Sequence, residues 1–184
     1  MKHNRYVIYN CTAVRSDKTK IVRVIKIQSH FQVEDLAIAL IATSDSPGYI
    51  NEIMFENEGI GYSFNHCNPI HEGISFDELD DTNLKVTLVY DDDTKIQYEC
   101  VQVGEEITDK RITRTTPIMI AAVGMSRFTH DEFVFNQSKE FEGLNGFNIY
   151  SKSDEYYVFE NKLVSWAVND LQRFFNMYKE DYYA

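Results

Sequence analysis

Leu84-Lys85-Val86-Thr87-Leu88-Val89-Tyr90, Asp91-Asp92-Asp93-Thr94-Lys95 and Ile96-Gln97-Tyr98-Glu99-Cys100-Val101-Gln102-Val103 follow one another without a break. The first run is the clearest strand of the chain, and the third is its partner across a short polar connector. Three adjacent aspartates in such a connector repel one another unless something compensates them. They are either solvated or placed to meet a cation or a basic partner.

Working outward toward the N-terminus, Ser75 and Glu78 have the spacing of a capping box, so Ser75-Phe76-Asp77-Glu78-Leu79 is expected to form a short helical turn. Residues 65–73 read as a loop. Tyr49 to Phe55 and Ile60 to Phe64 read as a second strand pair around the turn Asn57-Glu58-Gly59. Phe31 to Thr43 reads as a helix, because Val33, Leu36, Ala37, Leu40 and Ile41 recur at helical spacing. Glu34 and Asp35 fall in its first turn, where the helix dipole favours negative charge. Tyr6 to Val14 and Ile21 to Ile27 read as a first hairpin. Arg23 and Lys26 lie an odd number of positions apart, so they point to opposite faces of that hairpin.

Toward the C-terminus, residues 104–148 are harder to read. Pro117 to Gly124 is apolar throughout and fits a buried strand or a buried helical turn equally well. Phe147 to Tyr150 and Tyr156 to Phe159 read as short strands. A helix is expected from about Asn161 to Tyr178, with Leu163, Trp166, Ala167, Leu171, Phe174, Phe175 and Tyr178 on the helical repeat. The expected fold class is α+β: a mixed or antiparallel sheet, one packed helix in the N-terminal part, and a long C-terminal amphipathic helix. The expected organisation is a core domain over 1–105 and a C-terminal extension or small lobe over 106–184, the two forming separate units or one continuous domain.

Composition narrows the function classes. Among 184 residues, 43% are hydrophobic and only 3 are proline, which excludes a disordered or low-complexity chain. The formal charge is −11 and unevenly placed. Residues 1–30 carry +6, residues 31–108 carry −15, and residues 109–184 carry −2. An extended acidic surface disfavours direct binding of free nucleic acid and attracts basic proteins or cations. Cys11, Cys67 and Cys100 form no CxxC pair, and a reducing, cytoplasmic setting is the expectation. Cys11 and Cys100 sit in apolar runs and read as buried thiols. No apolar run has the length of a membrane span or signal peptide, so no membrane association is expected.

The strongest constellation is Asp77, Glu78, Asp80, Asp81, Asp91, Asp92 and Asp93. It is the expected partner-binding face. Hard cations take carboxylate oxygens, so a metal site is the chemical alternative, but catalysis would need these groups to converge on one cleft. His66, Cys67 and His71 fall short of the four ligands of a zinc site and read as a polar loop. His130-Asp131-Glu132 has a base and carboxylates but no nucleophile motif nearby. GxSxG, GxxxxGK[ST] and HExxH do not occur. The residues therefore assign no catalytic group, no metal and no cofactor.

Val22-Arg23-Val24-Ile25, Phe31-Gln32-Val33-Glu34-Asp35-Leu36, Tyr49 to Phe55 and Leu84 to Val103 together resemble a plasmid open-reading-frame family. That family is also described as passenger resolvase-like proteins of insertion elements. Tyr90-Asp91-Asp92-Asp93 stands where the family has a Tyr-Asp-Phe-Gly-Asp turn. The Phe and Gly of that turn, the Gly-Trp after the helix and a later Pro-Pro-Glu-Asp stretch have no counterparts. The resemblance covers the first 105 or so residues. It implies an α+β fold and a mobile-element context, and it carries over no catalytic residue.

Charge and context together lead to an expected function. The chain is similar in type to small acidic anti-CRISPR inhibitors. Its expected partner is a basic protein such as an RNA-guided nuclease or its nucleic-acid complex, whose channel is positively charged. Two alternatives stand beside it: a metal-dependent nuclease working through the acidic turn, and a structural or regulatory accessory protein of a plasmid or phage. The aromatic C-terminal helix offers a homodimer surface.

Overall fold

The computed structural model describes residues 5–14, 18, 20–43, 50–79, 82–91, 93–112, 115–123 and 165–184. Seven strands and two helices are formed by them: β1 (Arg5–Val14), β2 (Lys20–Gln28), α1 (Glu34–Ala42), β3 (Ile50–Asn57), β4 (Ile60–Phe64), β5 (Asn83–Tyr90), β6 (Lys95–Ile107), β7 (Ile118–Val123) and α2 (Ser165–Tyr182). The class is α+β with a mainly antiparallel-sheet core. The expected short strands at Phe147–Tyr150 and Tyr156–Phe159 lie outside the described residues, as do His130, Asp131 and Glu132.

All seven strands join one sheet in the order β4-β3-β5-β6-β1-β2-β7. Every neighbouring pair is antiparallel. The β5–β6 hairpin is the centre of this arrangement. It pairs outward with β3 through β5, and with β1 through β6. The two other hairpins are thereby stitched into one surface. The β3–β4 loop, Glu58-Gly59, has φ of 52° and 75°. Both residues are left-handed, as a two-residue turn matching strand twist requires. The apolar segment at 118–123 resolves as a strand, because β2 offers it an open edge.

Strand alternation gives the sheet two different faces. Val7, Tyr9, Cys11 and Ala13 of β1 point inward, with Ile21, Ile25 and Ile27 of β2, Leu84, Val86 and Leu88 of β5, and Ile96, Tyr98 and Cys100 of β6. Cys11 and Cys100 are buried free thiols directly opposite each other. α1 packs against this inner side. All nine of its residues are buried: Leu36 to Ala42 is apolar on every side, and Glu34 and Asp35 of the first turn are enclosed as well. Arg23 is fully buried beneath the end of α1 and donates from Nη2 to the Thr43 carbonyl at 3.4 Å. It supplies the cation that the last helical turn lacks. Lys26 points the other way, over the Tyr6 ring.

α2 packs on α1. Leu171, Phe175 and Tyr182 are buried in the same core as the sheet residues, and Phe31 stacks on Phe175 with ring centres 6.2 Å apart. The buried apolar side chains described on α2 are therefore used for packing within this chain rather than left for a second copy. Side chains of residues 165–170, Trp166 among them, lie outside the described set. No helix of the described residues is long and apolar enough to cross a membrane.

Candidate functional site

The described acidic residues named from sequence, Asp77, Glu78, Asp91 and Asp93, do not form one cluster. Asp77 is held at the start of β1, where its Oδ1 lies 3.3 Å from Arg5 Nη1 and its backbone N–H donates to Ser29 O. Its side chain is only 9% exposed. Glu78 closes the expected capping turn: Oε2 accepts from the Ser75 N–H at 3.2 Å and the Ser75 hydroxyl at 3.0 Å. Asp91 and Asp93 lie exposed on the β5–β6 turn. That turn is closed by the Tyr90 N–H donating to Thr94 O at 2.9 Å and the Asp93 N–H donating to Tyr90 O at 3.0 Å. Asp93 adopts φ 63°, a conformation aspartate tolerates better than most side chains. Asp80, Asp81 and Asp92 lie outside the described residues.

Arg5 also binds Glu105 near the end of β6, whereas the aspartate turn feeds its beginning. At a strand's rise per residue, the two places are separated by roughly 30 Å of β6. Among the described residues of the expected acidic face, Asp77 and the Asp91 and Asp93 turn therefore stand at opposite ends of β6. The hairpin sends its two ends in opposite directions, and sequence proximity does not survive it.

The structure instead brings together acidic residues that sequence reading assigned only to the helix dipole. Asp35, with no exposed surface, has its carboxylate enclosed by three groups. Its Oδ2 accepts the Gln32 N–H at 3.1 Å and faces Lys179 Nζ at 3.1 Å, and its Oδ1 accepts the Tyr183 hydroxyl at 2.8 Å. The Asp35 N–H returns a bond to Gln32 O at 3.0 Å. Lys179 in turn sits over the rings of Phe31, Tyr183 and Phe175, at 4.8, 5.1 and 5.9 Å. Such faces stabilise a cation that has lost part of its water. Burial pushes the Tyr183 phenol well above its ordinary range, with the Asp35 charge and hydrogen bond adding to the effect. This arrangement clamps the end of α2 to the start of α1. No local motif signals it, because Lys179 stands 144 positions from Asp35.

Glu34, the next residue, faces different company. It is 2% exposed. Tyr62 of β4 donates its hydroxyl to Oε1. Burial raises the Glu34 carboxyl above its usual range, and the Asp35 charge raises it further. The Tyr62 hydrogen bond and the backbone N–H groups of Glu34 and Ile74 oppose that shift. Glu34 lines an open groove of about 370 Å³ with Tyr62, Phe64, Pro69, Ile70 and His71.

A second groove, of about 510 Å³, lies along β3, β4, β5 and β6, with Glu52, Met54, Glu56, Tyr62, Lys85 and Gln97 in its lining. Its lysine is flanked by carboxylates: Lys85 Nζ lies 4.0 Å from Glu56 and 3.9 Å from Glu99. The groove therefore has an excess of negative charge beside an exposed methionine and tyrosine. The sequence reading passed over Glu52, Glu56 and Glu99, which lie on two strands far apart in the chain. Strand alternation alone could have shown that Lys85 and Glu99 each point away from the core.

No family model matches the chain, and no curated protein matches it. Among solved structures, a protein of unknown function from Methanosarcina mazei Go1 is similar to it at 15% identity. The match covers 84% of this chain and 86% of that one, with a TM-score of 0.49.

Proposed function

We propose that the chain is a binding protein that docks a basic partner protein in the acidic groove along β3, β5 and β6. The observation that carries this reading is the placement of Lys85 between Glu56 and Glu99, with Glu52 in the same groove. One cation among three carboxylates leaves a net negative recess, and a partner's Lys or Arg would restore the balance. Met54 and Tyr62 offer the apolar contact that lengthens residence once charge has guided the encounter.

The partner class we propose is a nucleic-acid enzyme with a positively charged channel, such as an RNA-guided nuclease, which the chain would inhibit or misdirect. The net charge of −11 supports that choice, as does the mobile-element context implied by the resemblance above. A cytoplasmic setting belongs to the same proposal, and the buried free thiols Cys11 and Cys100 fit it. The nuclease alternative is less well supported. It needs carboxylates on one cleft, and Asp77 and Asp91 stand at opposite ends of β6.

The test is binding to an RNA-guided nuclease at low and high salt. Binding should weaken as salt rises. The double variant Glu52→Lys with Glu56→Lys should weaken it by about tenfold or more at low salt. Absence of binding at every salt concentration rules out that nuclease, and binding unchanged in the double variant rules out this groove.

A further inference from the structure

β4 is an end strand of the sheet among the described residues, and its outer side has a definite chemistry. The loop Glu58-Gly59 closes on the pair Asn57 and Ile60. A two-residue loop makes that closing pair a hydrogen-bonded one, and bonded pairs alternate with non-bonded ones along an antiparallel ladder. Phe55 with Tyr62 and Ile53 with Phe64 are therefore the next bonded pairs. Gly61 and Ser63 direct their N–H and carbonyl groups the other way, toward the edge. No described strand lies there to receive them. The strand, Ile60-Gly61-Tyr62-Ser63-Phe64, also carries none of the charges or prolines that usually guard an open edge.

The same alternation gives the edge a groove on each face of the sheet. On the outer face β4 presents only Gly61 and Ser63, so nothing tall stands between the edge and Glu52, Met54 and Glu56 of β3. Even a Cβ added at Gly61 would meet nothing nearer than the Phe55 carbonyl oxygen, at 3.8 Å. On the inner face, Phe64, Pro69 and Ile70 give the second groove apolar walls. Tyr62 and Ser63 line both grooves, so the edge of β4 runs between them. A strand laid along that edge sends successive side chains to opposite faces. Alternate positions enter the acidic groove, and those between them enter the apolar-walled one.

We infer that β4 is a docking edge, to which an extended segment of the partner adds as a further antiparallel strand with basic and apolar side chains in alternation. The inference rests on the reading of the acidic groove as the basic partner's site, and it adds how that partner is held. Antiparallel pairing is the pattern of the whole described sheet. In that pairing the residues directly opposite Gly61 and Ser63 turn their N–H and carbonyl groups toward β4 and their side chains to the outer face. These are the basic positions. Reaching over Gly61 and Ser63, they meet Glu56, which is paired with Gly61, and Glu52. The apolar positions face Phe64, Pro69 and Ile70. Main-chain hydrogen bonds hold the segment, and the two grooves select its sequence. A second copy of this chain is the poorer occupant, because it would bring its own Glu52 and Glu56 to the same face.

The test is calorimetric titration of the full chain, at low salt, with an acetylated and amidated peptide of alternating arginine and valine. Saturable binding is expected. N-methylation at the arginines removes the N–H groups aimed at β4 and should weaken binding by about tenfold or more, whereas N-methylation at the valines should leave it within about threefold. Ser63→Pro removes an edge N–H, which an edge strand tolerates, and should weaken binding equally while thermal unfolding stays close to the parent's. The pair of N-methylated peptides gives the same answer should that variant fail to fold. If both N-methylated peptides bind like the unmodified one while Glu52→Lys with Glu56→Lys weakens binding, strand addition is overturned and the acidic groove stands. Binding lost in Ser63→Pro but unchanged in the double glutamate variant supports the edge and overturns the groove. No binding of the unmodified peptide overturns the docking edge, and the nuclease titration still decides the groove. Dimerisation of the parent chain in sedimentation, abolished by Ser63→Pro, would assign the edge to a second copy and overturn the inference as well.

Discussion

The start of α1 and the β5–β6 turn are both acidic, and they use their carboxylates in opposite ways. Asp91 and Asp93 stand exposed on a tight turn at the edge of the molecule. Asp35 and Glu34 are enclosed under α2 and β4, each with a tyrosine hydroxyl on one oxygen. The turn dominates any count of charge along the sequence. The helix start dominates the electrostatics, since a charge removed from water interacts more strongly with whatever surrounds it. Local charge density is thus a poor guide to where charge matters in this chain, and burial is a better one.

The contrast is broken most sharply at Asp35. Replacement by Ala strands the Tyr183 hydroxyl and the Gln32 N–H and removes the counter-charge of Lys179. A loss of about 3 kcal/mol or more is expected in urea unfolding, the size of a broken buried pair. A loss below about 0.5 kcal/mol, the range of ordinary surface changes, would show that the clamp does not hold α2 to α1.

Glu34 sets a smaller, pH-dependent test. Its carboxyl sits above an ordinary value near 4.5 in the folded chain. The folded state therefore holds that proton more tightly than the unfolded chain does. Acidification through the range just above 4.5 adds stability from this group, and rising pH removes it. Glu34→Gln lacks this component. Its stability relative to the parent chain should rise as pH rises through that window and level off above it. A difference that stays constant with pH would show that Glu34 titrates alike in both states.

The smallest effect belongs to the turn. Asp91→Asn with Asp93→Asn keeps side chains that tolerate a left-handed φ, so thermal unfolding should change by no more than about 0.5 kcal/mol. A larger change would mean that the turn carries electrostatic weight comparable to that of the helix start, and the contrast would fail.

Much of the fold was legible because its signals are local. Alternation and turn residues marked β1 to β6, and helical spacing marked α1. Asn57-Glu58-Gly59 marked a hairpin turn. The odd spacing of Arg23 and Lys26 correctly placed them on opposite faces, one buried and one on the outside. The strand at 118–123 was not legible, because an apolar run shorter than a helix fits either state until a partner edge is known. The candidate site was hardly legible at all. Asp77, expected on a partner-binding face, is paired with Arg5 at the start of β1, a contact that no spacing along the chain announces.

Hydrophobic alternation and turn chemistry, acting over a few residues, were enough to specify an α+β chain built on hairpins with one packed helix, its sheet mixed or antiparallel. Tertiary packing alone set the order of the hairpins, with β5–β6 in the middle, and thereby parted Asp77 from Asp91. It alone joined Asp35 to Lys179 and Tyr183, and Glu34 to Tyr62. These are pairings of side chains brought together by the shared burial of distant apolar surfaces, and no spacing along the chain encodes them.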